Sequence, residues 1–446
     1  MKRFLSVALA FLMLAVMLPV TALAANDYVT VSGINGFENR QFASFKEAYN
    51  EINQKLMDLC DSDAMGEGAT TAEKFDALFS NRDENGNATL TYTICGNIIY
   101  DESNLANLLT FGRRASHYGN DRHLINFKFV GATGRDSDTL TVNSNITLPY
   151  EWWGEKTTTS ISFENLTITG TAPNGLYPTQ KFFEGINFKV DNCKLEGIKI
   201  YNCSNVGGSY TITNNIFDGT NAPQNAYAIH LQGNETAPLT INISNNTISG
   251  YDRGINIDQK TAAATISNNN ISVKDTGRSC IQLTRLASTK VENNTMNLTG
   301  GNAITLHEEL LNCAKPKITV SGNTINGTGY LIYDDATANN KSFTNDNLTL
   351  TITEDNTVAK TVDITQGVKG STKYGMSEIV KTTVENNVVP GGSTGGTIVI
   401  IPDRTEDTPK TEPEKNPATG ANDVVAAAVA LMAVSALGAA VLTRKK

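Results

Sequence analysis

The sequence predicts an all-β solenoid, one chain wound into a parallel β-helix beneath an N-terminal helical cap. Three observations carry this. Short stretches of alternating apolar and polar residues fill the middle of the chain. Asn-rich turns recur between them at a slightly elastic period of roughly 26 residues, most plainly at Asn246, Asn269, Asn294 and Asn323. The 446 residues include 36 glycines but only 7% aromatics, a mixture that suits many tight turns and not a helical bundle.

Residues 1–24 read as an export signal. Lys2-Arg3 precede an apolar run from Phe4 to Val20, and Ala22-Leu23-Ala24 supplies the small residues of a cleavage site. Residues 25–84 read as a strand and helix cap. Tyr28–Ser32 alternates as a first strand should. Ser44-Phe45-Lys46-Glu47 is a capping-box pattern, after which Phe45, Ala48, Tyr49, Ile52 and Leu56 follow at helical spacing. Thr70-Thr71-Ala72-Glu73 opens a second helical pattern carrying Phe75, Leu78 and Phe79. A solenoid exposes an apolar cross-section at its first coil, and this segment is expected to cover it. The alternative is a separate small domain.

Residues 85–389 carry the coils. Leu90–Tyr100, Ile125–Val130, Leu140–Leu148 and Ile161–Ile168 alternate as coil strands. Asn215, Asn192 and Asn165 extend the Asn column backwards. Each Asn is expected to take a left-handed bend and to hydrogen-bond its neighbour on the next coil, about 4.8 Å away. Ile229, Ile255, Ile281, Ile304 and Leu331 form a second column, followed two residues later by Leu231, Ile257, Leu283, Leu306 and Tyr333. Alternation makes both columns inward, so His230, Asn256, Gln282, Thr305 and Ile332 face outward. The six cysteines, at 60, 95, 193, 203, 280 and 313, show no Cys-x-x-Cys spacing, so no zinc site is expected. Their even number permits disulfides, while Cys193 and Cys280 fall inside strands as small buried thiols would.

In this strand and Asn-turn pattern, residues of roughly 85 to 365 resemble the right-handed parallel β-helix family, the pectate-lyase-like superfamily. The resemblance implies a right-handed fold. Its polygalacturonate hydrolases carry Asp-Asp, Gly-His-Gly and Arg-x-Lys motifs. Only Asp334-Asp335 matches the first, and neither of the others follows it. The lyase pattern of Ca²⁺-binding carboxylates beside an Arg finds no match either.

The tail is a separate address. Residues 390–415 run from Gly and Thr into Pro and charge, as a solvated linker does. Asn416-Pro417-Ala418-Thr419-Gly420 comes next. An uncharged apolar run, 424–442, follows, and the chain closes on Arg444-Lys445-Lys446. The run is long enough to cross a bilayer, and the terminal cations would stay on the cytoplasmic side. The arrangement resembles the Leu-Pro-x-Thr-Gly sorting signal of Gram-positive surface proteins, with Asn416 in place of Leu. It implies that a sortase cuts between Thr419 and Gly420 and joins the protein to peptidoglycan. The expected location is therefore the cell wall of a Gram-positive bacterium, with membrane insertion only before sorting. A permanent tail anchor is the alternative.

The formal charge of −9 disfavours nucleic-acid binding, which wants a basic footprint, and leaves room for a local basic patch. The outward surface is the place to look for function. The coils align Asp258, Arg285, His307, Glu308, Asp334 and Asp335 as one polar strip, with Asp252-Arg253 and Arg278 on the other side of His230, Asn256, Gln282 and Thr305. Arg beside carboxylates suits uronic-acid chemistry, where a cation neutralises the substrate carboxylate and an acid–base pair handles protons. Ordinary cross-coil pairing produces the same mixture of charge. Trp152-Trp153, the chain's only two tryptophans, offer a ring for sugar stacking or for core packing. The favoured expectation is a non-catalytic adhesin or glycan-binding protein, its ligand an extracellular polysaccharide or host glycan. The rival is a displayed polysaccharide lyase or hydrolase, and a structural spacer is the third reading. No cofactor is expected, with Ca²⁺ entering only under the lyase reading.

Overall fold

The computed structural model describes residues 27–61, 77–100, 125–147, 160–177, 186–203, 208–274, 277–369 and 372–391, less a few short stretches within these ranges. The export signal, Trp152 and Trp153, most of the linker and the sorting segment lie outside the described residues. So does the second cap helix expected from residue 70, apart from its last residues.

Two long sheets of 12 and 17 strands wind along one axis, making a right-handed parallel β-helix. Each repeating coil contributes one strand to the first sheet and two to the second. In one coil these are Leu239–Ser244, then Thr247–Tyr251 and Arg253–Asp258. Neighbouring coils pair in parallel and in register, so every residue sits beside its counterpart one coil away. One inward column of the first sheet reads Tyr92, Phe129, Phe163, Val190, Ile212, Ile243, Ile266, Val291, Val320, Ile352. All of them are buried. Strand alternation thus becomes a continuous hydrocarbon stack, aromatic at the start and aliphatic later.

The aromatic start is where the cap sits. The helix Phe45–Asp61 opens as the capping box predicts, with Glu47 N–H donating to Ser44 Oγ and Ala43 N–H to the Glu47 carboxylate. Phe45 is fully buried, its ring 4.9 Å from Tyr92 and 5.2 Å from Tyr100. Leu78 and Phe79 join the same core, while Phe75 lies outside the described residues. At the other end the helix Glu378–Asn387 buries Val380 and Val384 and packs near the last first-sheet strand, Thr349–Ile352. That second closure was not foreseen, although Val380 and Val384 stand one helical turn apart.

The Asn column proves to be two columns. Asn165, Asn192, Asn214, Asn245, Asn268 and Asn293 hold the left-handed bend, with φ between 52° and 60°. The residue after each enters the interior. There Asn215, Asn246, Asn269, Asn294, Asn323 and Asn356 form a buried ladder, each side-chain oxygen after that of Asn215 accepting from the Asn before it at 2.9–3.0 Å. Asn165 and Asn192 belong to the bend, where Asn192 Nδ2 donates to Asn165 Oδ1 at 2.7 Å, and not to the buried ladder. Cys193 occupies the ladder position on its coil and donates its backbone N–H to Asn215 Oδ1.

A second correction concerns the last coil. Ile304 pairs with Ile332 and Thr305 with Tyr333, one residue later than the expected Leu331 and Ile332. The slip arises at an irregularity between Thr299 and Asn302, where Gly300-Gly301 on one coil face a single residue, Gly329, on the next. A one-residue slip exchanges the faces. Ile332 therefore lies in the inward Ile column, and Tyr333 takes the outward position.

Cys95, Cys193, Cys280 and Cys313 are free thiols. Burial pushes both Cys193 and Cys280 up to about 12. Among the described residues no helix is long and apolar enough to cross a membrane. The candidate span 424–442 lies outside them.

Candidate ligand-binding cleft

The outward column of the second sheet runs Tyr201, His230, Asn256, Gln282, Thr305, Tyr333. Its later half forms the floor of a cleft of about 250 Å³. Parallel register is what assembles it, because side chains from successive coils meet at one place on the surface.

One wall comes from the strand starts. Arg253 donates to Tyr227 Oη at 2.8 Å, its guanidinium 4.8 Å above the Tyr227 ring. Tyr227 in turn donates to Gln282 Oε1 at 3.0 Å. Gln282 donates to Thr284, and Thr284 to Asn256 Oδ1, so a chain of bonds leads from the arginine into the floor. Arg278 lines the same wall and donates to Asn225 Oδ1 at 3.1 Å.

The opposite wall is built on Asp335. Its carboxylate accepts from Tyr333 Oη at 3.2 Å and from the Glu308 N–H at 3.3 Å. His307 Nε2 lies 3.5 Å away and Lys369 Nζ 3.8 Å. Burial and the neighbouring Asp335 carboxylate push the Tyr333 phenol well above its ordinary value, so it stays protonated as a donor. Glu308, also in the lining, is held below the usual carboxylate range by its hydrogen bond from Lys341. Lys369 arrives on a hairpin, Gly367–Lys369 with Thr372–Tyr374, that crosses back from the end of the solenoid. Ser279 and Thr305 share a hydrogen bond on the floor.

Two buried polar atoms of the lining have no protein partner, Asn302 Oδ1 and Arg253 Nε. Buried polar groups are nearly always satisfied. Both atoms are sealed from solvent, so an enclosed water and not a ligand in the cleft would complete their bonding.

The structure thus brings Arg253, Arg278, Gln282, Thr305, His307, Glu308 and Asp335 together. It places the other expected residues elsewhere. Asp252 is buried, accepts the Asn225 N–H and lies 3.4 Å from Lys274. Asp258 and Arg285 pair with each other at 2.5 Å, across a register shift that removes them from the strip, and Glu309 joins them. Asp334 is fully buried and structural, accepting from the Thr337 and Ser377 N–H groups. Asn256 lies beneath the floor, 3% exposed. His230 sits between the Tyr201 and Tyr227 rings at 5.0 and 4.8 Å. Burial pushes it down to about 4, with Lys199 and Arg253 adding to the drop against the pull of Asp258.

Tyr227, Ser279, Asn302, Tyr333, Asn339 and Lys369 complete the lining without having been expected. Tyr227 was within reach, since it stands two residues before the Ile229 column. Lys369 had no signal, because its hairpin stands outside the repeat. Among the described residues no group of three or more His, Cys, Asp or Glu is placed to hold a metal, so the Ca²⁺ of the lyase reading finds no cluster there.

Fold and site together define a right-handed parallel β-helix protein with a polar lateral cleft. Residues 174–348 match the family model described as the right handed beta helix region, and that stretch contains the cleft apart from Val368 and Lys369. No curated protein and no solved structure matches the chain.

Proposed function

We propose that the protein is a wall-anchored, glycan-binding surface protein whose lateral cleft holds an anionic, uronic-acid-containing polysaccharide. The observation that carries this is the charge of the cleft. On a chain of net charge −9, the lining gathers Arg253, Arg278 and Lys369 against Asp335 and Glu308. A guanidinium takes a carboxylate in a bidentate grip. Ser279, Thr305 and Asn302 supply the hydroxyl and amide groups that sugar hydroxyls meet. Both cleft carboxylates are occupied, Asp335 by Tyr333, His307 and Lys369 and Glu308 by Lys341, which suits holding a ligand more than cleaving one.

The anchoring half of the reading rests on the sequence of Asn416 to Gly420, the span 424–442 and the basic end. Its partners are a sortase and peptidoglycan. Binding is tested by retention on a polysaccharide array, with Arg278→Ala and Lys369→Ala alongside the parent. Loss of uronate retention in both variants supports the reading, and unchanged retention refutes it.

A second reading, a polysaccharide lyase or hydrolase, is favoured by one observation. His307 and Asp335 lie 3.5 Å apart in the same cleft as two arginines, a titratable pair beside cations. Incubating the exported chain with uronic-acid polymers while following ultraviolet absorbance and reducing ends separates the two. New chain ends that depend on His307 would replace binding with catalysis.

A further inference from the structure

Resting on the glycan-binding reading above, we propose that the cleft recognises the terminal residue of an acidic sugar chain, not an internal segment. Three features point to this.

The first is size. At about 250 Å³ the cleft falls below the ~300–1,000 Å³ of sites that house drug-sized ligands. It has room for about one sugar ring.

The second is the hairpin Gly367–Tyr374, which walls the cleft on the side of the last coil. Tyr333 shows how closely. It holds an outward position in the sheet, yet it is only 4% exposed. What covers it is the hairpin. Gly367 lies so near the Tyr333 ring that any side chain there would run into it, and the Tyr374 ring lies 6.2 Å from that of Tyr333. The hairpin is tied down from beneath, with Asn302 Nδ2 donating to the Val368 carbonyl at 3.3 Å. Lys373 adds a cation 5.5 Å from the Tyr330 ring. A polymer lying along the outward column would meet this wall and stop.

The third is the placement of charge. Lys369, on the hairpin itself, brings its cation to the blocked end. Arg253 lies at the other end, its guanidinium over the Tyr227 ring. From there the column continues through His230 and Tyr201, whose rings provide faces for the sugars that follow. An acidic residue with a free end would place its carboxylate by Lys369, the chain leaving over Tyr227.

The test uses the exported protein and α-1,4-linked oligogalacturonates of graded length, measured by calorimetry. Two end-modified sets accompany them: one reduced at the reducing end, the other carrying a 4,5-unsaturated ring at the non-reducing end. The expected result is an affinity per chain that levels off after a few sugars, and a loss of about tenfold or more on modifying one end but not the other. Gly367→Ala, which forces the hairpin off Tyr333, should relax that dependence. Affinity that climbs with chain length and ignores both modifications overturns terminal recognition while leaving glycan binding intact. Absence of binding at every length overturns the glycan reading itself.

Discussion

Replacing Asn269 with Ala removes the middle of the buried Asn ladder. Asn269 is 2% exposed and its side chain takes part in four bonds. Its Nδ2 donates to the Ile243 carbonyl and to Asn294 Oδ1, both at 2.9 Å. Its Oδ1 accepts from the Asn246 N–H at 3.0 Å and from Asn246 Nδ2 at 2.9 Å. Asn246 Nδ2 keeps a second acceptor in the Ile212 carbonyl, and Asn294 Oδ1 keeps the Asn269 N–H. The group left stranded is the Asn246 N–H, since the Ile243 carbonyl keeps its strand bond to the neighbouring coil. Each stranded buried group costs about 1–3 kcal/mol. The variant should therefore lose about 1–3 kcal/mol, a fall of up to about 1 M in urea midpoint if the m-value is about 3 kcal/mol per M. Because a solenoid's coils contact only their neighbours, the damage should stay local. Hydrogen exchange should show the Asn246 amide losing protection while first-coil amides such as that of Tyr92 keep theirs. A loss under about 1 kcal/mol, with the Asn246 amide still protected, would refute the claim that the ladder holds the coils together. Asn269→Asp sharpens the case. It retains the acceptor but aims a carboxylate at the Ile243 and Asn294 oxygens, so it should be worse than Ala at neutral pH and recover on acidification.

Three further outcomes follow from the same reasoning. Gly254→Ala would drive a methyl group into the Cys280 carbonyl of the adjacent coil, and should cost about 3 kcal/mol or more by thermal denaturation; a neutral result would contradict the close coil packing. His230, held down to about 4 by burial against about 6.5 unfolded, binds its proton more weakly in the folded state. Its contribution is full above about pH 6.5 and is lost as pH falls towards 4, at most about 3 kcal/mol before solvent screening trims it. His230→Gln should flatten that part of the stability curve, and an unchanged slope would refute the assignment. Thr419→Ala should move the protein from the cell-wall fraction to the membrane or the medium, and intact wall linkage would sink the sorting assignment.

The strands were legible because alternation with a fixed repeat leaves few other ways to bury Ile255, Ile281 and Ile304 together. The ladder was legible as a rhythm but not as a structure. Four turns carry two adjacent asparagines, one bent and one buried; the early coils keep only the bent one, at Asn165 and Asn192, and the late coils only the buried one, at Asn323 and Asn356. Periodicity alone does not say which of two identical neighbours turns inward. The slip at Ile332 was hidden for a related reason: glycines carry no pattern, and one residue more or fewer at Gly300-Gly301 exchanges the faces downstream. Arg253, Arg278, His307 and Asp335 could be placed together since register alone aligns them. Lys369 and the burial of Tyr333 depend on a hairpin folding back from later in the chain, and nothing local in the sequence specifies that return.

The central claim is that the cleft between Arg278 and Lys369 is where the protein holds its ligand. The most direct measurement is a crystal structure of the exported chain soaked with a short oligogalacturonate. One acidic sugar should be seated on Thr305 and Ser279, its carboxylate beside Arg278 or Lys369. Sugar bound at Trp152 and Trp153, with the cleft holding only water, would contradict it.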